Sequence, residues 1–455
     1  MEAAMALLRQ VVEDVRAQRR GGIELIWLAE RALTVKVLDR KVDEFALADS
    51  SGLGVRVVHD GRIGYGYTEK LELASIKGAV EMARENASVA PRDDAALALT
   101  GLAPPSVGPN LHLFTHELER VTVDQKIACA ELLESTAREY DSRIVNVPHA
   151  EYSDGAVHVT VLSSSGTEGN YKANGAGLMV GVIANEADDT KSPSKVRYSK
   201  NFSDLSPETL ASEVASEGVA RLGARTPPSG SVSVVLTNEM ARDLLGAFSG
   251  MFSAKRVQKR LSLLRGRLGD QVAARHVRLV DNALLDGGYA SRPFDDEGTP
   301  SQRTVLVEGG VLRSFLYDRY TAAKEGVNST GNALRPSIRS SIEVMPTNIY
   351  IEPGTESCSG LMQTAGKGIL VVELHGLHSG ASPISGDFSL GAQGYAFEHG
   401  RVQHPVHQFT VAGNFLEVLR HIALVGSDLE FGPPYGRVSV GAPSLLIEAL
   451  SVSAA

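Results

Sequence analysis

An α+β chain is predicted, with an N-terminal α/β domain of mixed sheet and helices over residues 1–225 and a β-rich, hairpin-bearing domain over 231–455. Three observations lead there. The segments Val55–His59 and Arg62–Tyr67 flank Asp60-Gly61, a two-residue hairpin signal because a type I′ turn needs positive φ at both central positions. The run Thr226-Pro-Pro-Ser-Gly-Ser231 stops any element crossing it. Beyond that break, short strand–turn–strand units recur, dense in the chain's 45 glycines, as tightly turned β-structure requires.

The elements follow in order. Leu7, Val11 and Val15 share one helical face of the opening segment, which reads as an amphipathic cap helix. After the hairpin, Leu73, Ile76, Val80 and Ala83 line a helix. A second is predicted over 124–140, where Ile127, Ala130, Leu133 and Ala137 recur at helical spacing. Residues 144–186 alternate β-rich runs with Gly, Ser and Asn turns, and Gly175–Gly181 reads as strand because no helix start follows it. Pro207 stands where a first helical turn tolerates it, so 207–222 reads as a helix.

In the second half, Val232–Leu236 is a strand, and Met240, Leu244, Phe248 and Met251 form an apolar helical stripe of core type. Val307–Val311 and Phe397–Val402 are tight hairpins. Val418–Val425 reads as helical and Ser444–Val452 as strand.

The net charge of −9 gives no general attraction to phosphate backbones, so nucleic acid is not an expected partner. The basic run Lys255–Arg260 reads as a solvated helix face. Two cysteines, Cys129 and Cys358, fit neither a disulfide framework nor a metal knuckle and suit a reducing cytosol. Acids interrupt the opening apolar run, unlike a signal peptide, and no apolar run reaches the ~18 residues of a membrane span. A cytoplasmic protein is expected.

Candidate chemistry is sparse. His116-Glu117, the one His-Glu pair, has no second histidine at helical spacing and reads as a loop or strand pair. No histidine occurs from 159 to 275, so the helix near 239–255 offers a zinc ion no imidazole. Six of the twelve histidines lie between His375 and His421, but a His-x-x-His pair on a strand splays its rings to opposite faces. No Gly-x-Ser-x-Gly elbow is present; Ser163–Thr167 reads as a loop. The acidic turn Asp295-Asp296-Glu297-Gly298 reads as structural, neutralised by Arg292, Arg303 and the turn's own amides. Asp387 suits an Asx-turn. Its closeness in sequence to His375 and His378 makes these three the candidate lining of a cleft.

Several motifs in fixed order carry a resemblance. They include Ser291–Phe315, Ser329-Thr-Gly-Asn332, Gly386-Asp-Phe-Ser-Leu-Gly-Ala392, Glu398-His-Gly-Arg-Val402, Val411-Ala-Gly-Asn414 and Gly441-Ala-Pro-Ser-Leu-Leu446. In these the chain resembles the TldD/PmbA family. Leu377-His-Ser-Gly-Ala-Ser-Pro-Ile-Ser-Gly-Asp387 points to its PmbA (TldE) branch.

In the family's catalytic branch the resemblance implies a zinc protease, with His-Glu-x-x-x-His on a helix and a cysteine ligand near the C-terminus. Here the corresponding helix is Ala241–Gly250, the ligand positions fall near Leu245, Gly246 and Gly250, and Phe431–Val440 has no cysteine. No metal ligand and no cofactor is therefore assigned to this chain. The resemblance implies pairing with a TldD-like subunit that holds zinc, around a chamber taking peptides or small amide-containing intermediates, antibiotic precursors among them. Whether the chain forms a homodimer without that partner is left open by the sequence. Two other readings stand beside this one: a stand-alone hydrolase using the His375–His407 region and Asp387, and a non-enzymatic regulatory binding protein.

Overall fold

The computed structural model describes residues 2–18, 21–100 and 109–454; Met1, at the head of the predicted cap helix, lies outside them. Helix α1 (Glu2–Gln18) buries Leu8, Val11, Val12 and Val15, while Leu7 is only partly covered. Strand β1 (Gly22–Leu38) turns through Asp39-Arg40 into β2 (Lys41–His59), which turns through Asp60-Gly61 into β3 (Arg62–Thr68). Both turns hold positive φ at both positions, 49° and 61° in the first and 48° and 70° in the second. The second is the turn predicted from Asp-Gly.

Helix α2 (Leu73–Val89), the short α3 (His116–Arg120) and α4 (Val123–Glu139) lead to β4 (Ile144–Ser163), β5 (Glu168–Glu186), β6 (Asp189–Lys191), β7 (Ser194–Ser199) and α5 (Pro207–Ala220). His116-Glu117 thus belongs to a helix and not to a loop or strand, because Thr115 caps the turn by accepting a hydrogen bond from the Glu117 amide. Thr122 and Gln125 form a reciprocal capping box that starts α4. The strands make one antiparallel sheet in the order β3-β2-β1-β4-β5-β6, with β7 also on β5. Leu33, Val35, Tyr152 and Leu178 pack under α4 and α5; Leu25, Leu53 and Val55 pack under α1 and α2.

The C-terminal half opens with β8 (Gly230–Leu236) and α6 (Asn238–Phe248), whose Met240, Leu244 and Phe248 are buried as the stripe predicts. Strands β9 (Leu279–Asn282), β10 (Arg303–Glu308) and β11 (Val311–Leu312) join Asn348–Ile351, Ser439–Ala442 and Glu430–Phe431 in one sheet. In the other, β8 lies between Lys367–His375 and Leu445–Ala454, and the ladder continues through Asp387–Glu398 to Arg401–Asn414. Arg401–Asn414 pairs back onto Leu445–Ala454, so these five strands close a ring. Parallel pairs occur in this half, between β8 and Lys367–His375 and between Asn348–Ile351 and Ser439–Ala442. Phe248 of α6 stacks on Phe415, with ring centroids 4.6 Å apart.

Two further predictions need correction. Val418–Val425 is not one helix: a helix over Phe415–Arg420 ends at His421, and Ile422–Val425 is a strand. Ile422 and Val425 pair with Ile447 and Leu445, so sheet pairing overrides a weak helical pattern rich in apolar residues. The acidic turn is structural, but Arg303 is not its partner and pairs with Glu352 instead. Asp295 accepts backbone amides from Glu297, Thr299 and Ala333 at 3.0, 2.8 and 3.0 Å. Asp296 meets Arg437 at 2.6 Å and the Arg335 amide at 2.6 Å. Glu297 meets Arg56 at 2.6 Å and the Arg319 amide at 2.8 Å. Burial, then Glu297, pushes the Asp295 carboxyl well above its ordinary range. Arg292 acts on Asp281 and Asp295 through its charge alone; its guanidinium makes no hydrogen bond among the described residues.

In the basic segment Arg256, Lys259 and Arg260 are exposed as predicted, and Lys255 departs from that face. The segment forms a helix over Ala254–Gln258, and Lys255 reaches the Ile342 carbonyl at 2.6 Å and Glu343 at 2.8 Å. No helix among the described residues is long and apolar enough to cross a membrane.

Candidate functional site

A cleft runs between the N-terminal sheet and the C-terminal half. Three cavities open into it, of about 690, 670 and 540 Å³. The first lies between β7 and α5 on one side and the start of α6 on the other; Glu217, Glu239 and Arg242 stand on its wall. The second spreads over β1, β4 and β5, where Tyr171 and Asn174 face Tyr435 and Arg437. His112, Phe114 and Asn201 line the third. Tyr289 borders all three, and Tyr198 borders the first two.

Local sequence explains that junction. The Tyr198 ring lies against β5 because Gly175 has no side chain; a Cβ there would run into the phenol. Tyr289 meets Tyr198 edge to face, centroids 4.7 Å apart and 76° between planes. Its hydroxyl donates to the Tyr198 carbonyl at 2.8 Å. Asn348 pins the loop that carries Tyr289: its Oδ1 accepts from the Ala290 amide at 2.9 Å and its Nδ2 donates to the Asn282 carbonyl at 2.8 Å. Burial raises both phenols, Tyr198 up to about 12, so both stay neutral at neutral pH.

Lys200 follows β7 and borders the second and third cavities. Its ammonium donates to the His112 carbonyl at 3.3 Å and the Gly288 carbonyl at 3.2 Å. Burial lowers its pKa to about 8, against a weaker opposing pull from Asp286. An exposed lysine stays protonated until about pH 10.4. Amine acylation is therefore expected to label Lys200 ahead of exposed lysines such as Lys41, with a midpoint about pH 8 in a peptide-mapped titration. Labelling of Lys200 that keeps pace with Lys41 at every pH would contradict this.

Glu239 sits in the first turn of α6, and burial raises its carboxyl above the ordinary range while Lys195 and Arg242 oppose this. Leu245 of the same helix is buried in the core, and Gly246 and Gly250 carry no donor. These positions do not fit a metal. Among the described residues no group of three or more His, Cys, Asp or Glu side chains has metal-binding geometry.

His375 ends the strand Lys367–His375, exposed, with Nε2 3.1 Å from Glu373 and 3.2 Å from Gln393. His378 is exposed on the short helix Leu377–Gly380. Asp387 opens the strand Asp387–Glu398, where Asn414 donates to it at 2.9 Å and, with Ser385, holds its pKa down. No hydrogen bond joins these three, and none of them borders the three cavities. The cleft instead assembles Tyr198 and Lys200, Glu239, and Tyr289, from three separate stretches of sequence. Its one local signal is the pair of glycines in Asp286-Gly-Gly-Tyr289.

Comparison with known proteins agrees along the whole chain. Residues 24–87 match the PmbA/TldA metallopeptidase domain 1, 116–222 the central domain and 229–454 the C-terminal domain. Metalloprotease PmbA of Escherichia coli O157:H7 is 29% identical over 448 residues, spanning 94% of this chain and 96% of the relative. A crystal structure from Thermotoga maritima, described as a modulator of DNA gyrase, superposes with a TM-score of 0.89 at 30% identity, covering 98% of this chain and 99% of that one. TldE from Thermococcus kodakarensis shares the fold, with a TM-score of 0.86 at 20% identity and coverage of 98% and 100%. Three domain matches in order and a full-length relative at this identity leave one conclusion: the chain belongs to the PmbA/TldD metallopeptidase family.

Proposed function

We propose that this chain is the metal-free subunit of a two-chain, cytoplasmic metallopeptidase. A TldD-like partner carrying His-Glu-x-x-x-His supplies zinc. The substrate is a peptide or a small amide-containing intermediate, including precursors in natural-product maturation. The observation that carries this reading is α6 itself. The helix and the turn after it occupy the place the family resemblance gives to the zinc-binding helix, and the donor positions fall near Leu245, Gly246 and Gly250, which offer no ligand. Hydrolysis by such a complex therefore belongs to the partner's metal-activated water.

This chain's contribution is the cleft. The neutral phenols of Tyr198 and Tyr289 offer flat, amphipathic contact to a peptide, and cavities of this size match short peptide segments. Two concave walls facing a partner's site exclude water and orient an amide without a ligand from this side.

The purified chain is expected to carry no stoichiometric zinc by elemental analysis and to leave an unfolded peptide uncut. Mixing with the His-Glu-x-x-x-His partner is expected to give a complex and chelator-sensitive cleavage. Zinc bound at one equivalent by the isolated chain, or chelator-sensitive cleavage without a partner, would sink the proposal.

A further inference from the structure

The walls of the two larger cavities differ in charge. Carboxylates outnumber cations around the first, where Glu239 and Glu430 have no ion-pair partner among the described residues. Cations outnumber carboxylates around the second. Arg437 is paired with Asp296, and Asp154 is 2.5 Å from Lys126. Arg292, Arg335 and Lys200 have no carboxylate partner among the described residues, but Arg292 and Arg335 are buried in the wall, 1% and 2% exposed, which leaves Lys200 as the half-buried one. No carboxylate lies within ion-pair distance of its ammonium among the described residues, and its two partners are carbonyl oxygens. An ammonium has three donors, so one remains free.

A half-buried ammonium without a counter-anion is costly, and such charges are normally paired. Tying the His112 and Gly288 loops together does not require the charge, since a carbonyl oxygen accepts from a neutral donor as well. The surplus charge at the meeting point of two cavities therefore calls for an anion from outside the chain. Tyr198 and Tyr289 flank the position, so that anion arrives on a chain with apolar or amide surface.

We propose that Lys200 is a carboxylate-binding residue, seating a free carboxylate of the peptide substrate in the basic cavity and so fixing the direction in which the peptide lies in the cleft. This rests on the reading that the cleft takes peptides. A substrate's carboxylate enters the second cavity because the unpaired carboxylates of the first repel it. The carboxylate comes either from a chain terminus or from an Asp or Glu side chain; its chemistry is the same.

The test uses the isolated full chain and acetyl-Leu-Ala-Leu-Ala as the free acid, as the C-terminal amide, and as the amide with Asp at the third position. Calorimetry is expected to show the free acid binding about tenfold more tightly than the plain amide, the yield of one charge-assisted hydrogen bond. Preference for the Asp-containing amide instead would assign the site to a side-chain carboxylate. Lys200→Gln is expected to bring the acid down to the amide's affinity, and Lys200→Arg to restore part of the difference. In the unmutated chain, the preferred carboxylate peptide should slow acylation of Lys200 while the plain amide does not. That measurement decides the matter even where a variant fails to fold. Equal binding of all three peptides, no binding of any, or a preference that survives Lys200→Gln overturns the proposal. A missing partner-dependent cleavage leaves this binding result intact, so the two readings fail separately.

Discussion

Replacing Arg56 with methionine is expected to cost about 3–5 kcal/mol of stability, read from urea unfolding, because it strips the counter-charge from buried carboxylates. Arg56 is 2% exposed. It lies directly across from Glu24 in the β1–β2 ladder and pairs with it. Its other nitrogen meets Glu297 of the acidic turn, 241 residues away in sequence, at 2.6 Å. Arg319 completes the cluster at 2.9 Å from Glu24. The N-terminal sheet and the C-terminal half are thus joined through alternating buried charges. Without Arg56, Glu24 keeps only the Arg319 guanidinium and Glu297 only the Arg319 backbone amide.

Two controls separate this from lost packing. Adding Glu297→Gln to the Arg56→Met chain should recover part of the loss, since one uncompensated charge disappears; Glu297→Gln alone should destabilise. The second control is pH. Burial already raises the Glu24 carboxyl despite its two arginines. Losing Arg56 raises the folded-state pKa further above the unfolded value of about 4.3. The folded state then holds the proton more tightly, so stability falls as pH rises through the folded pKa. The deficit of Arg56→Met should accordingly be smaller at pH 5 than at pH 8. A deficit under 1 kcal/mol, or one that widens on acidification, would contradict the buried charge cluster.

Gly64→Ala is expected to cost about 3 kcal/mol, the upper end of the overpacking range. Strand β3 and helix α2 approach so closely that a Cβ at Gly64 would fall on the Ala83 carbonyl, and one at Gly66 on the Ala79 carbonyl. Both obstacles are helix backbone, which cannot swing away as a side chain can. The helix would have to lift from the sheet, exposing Ile76, Val80 and Ala83. Gly78 on the same helix gives the opposite expectation. Nothing lies within 4 Å of a Cβ built there, so Gly78→Ala should stabilise by about 0.5–1 kcal/mol through helix propensity. If Gly64→Ala and Gly78→Ala shift the unfolding midpoint alike, the close approach of α2 and β3 is wrong.

Much of the local structure was legible because short-range physics decides it. The Asp60-Gly61 turn, the Gly309-Gly310 and His399-Gly400 hairpins, the helix beginning at Pro207 and the buried stripe of α6 all follow from backbone freedom or periodicity. The strand Ile422–Val425 did not, because its conformation depends on Ile447 and Leu445, remote in sequence. The cleft was legible least. His375, His378 and Asp387 were grouped by sequence proximity, whereas Tyr198 and Tyr289 meet only when β7 packs beside the loop pinned by Asn348.

The sequence by itself determined the family and the hairpin and helix alphabet. It also marked Asp295-Asp296-Glu297 as structural. Only the tertiary structure decided which arginines hold that turn, and which residues form the cleft wall. Turn chemistry and periodicity act over a few residues, so they can be read along the chain. A buried charge and a cavity are properties of whatever surrounds them in space, and here those surroundings come from segments as far apart as Arg56 and Glu297.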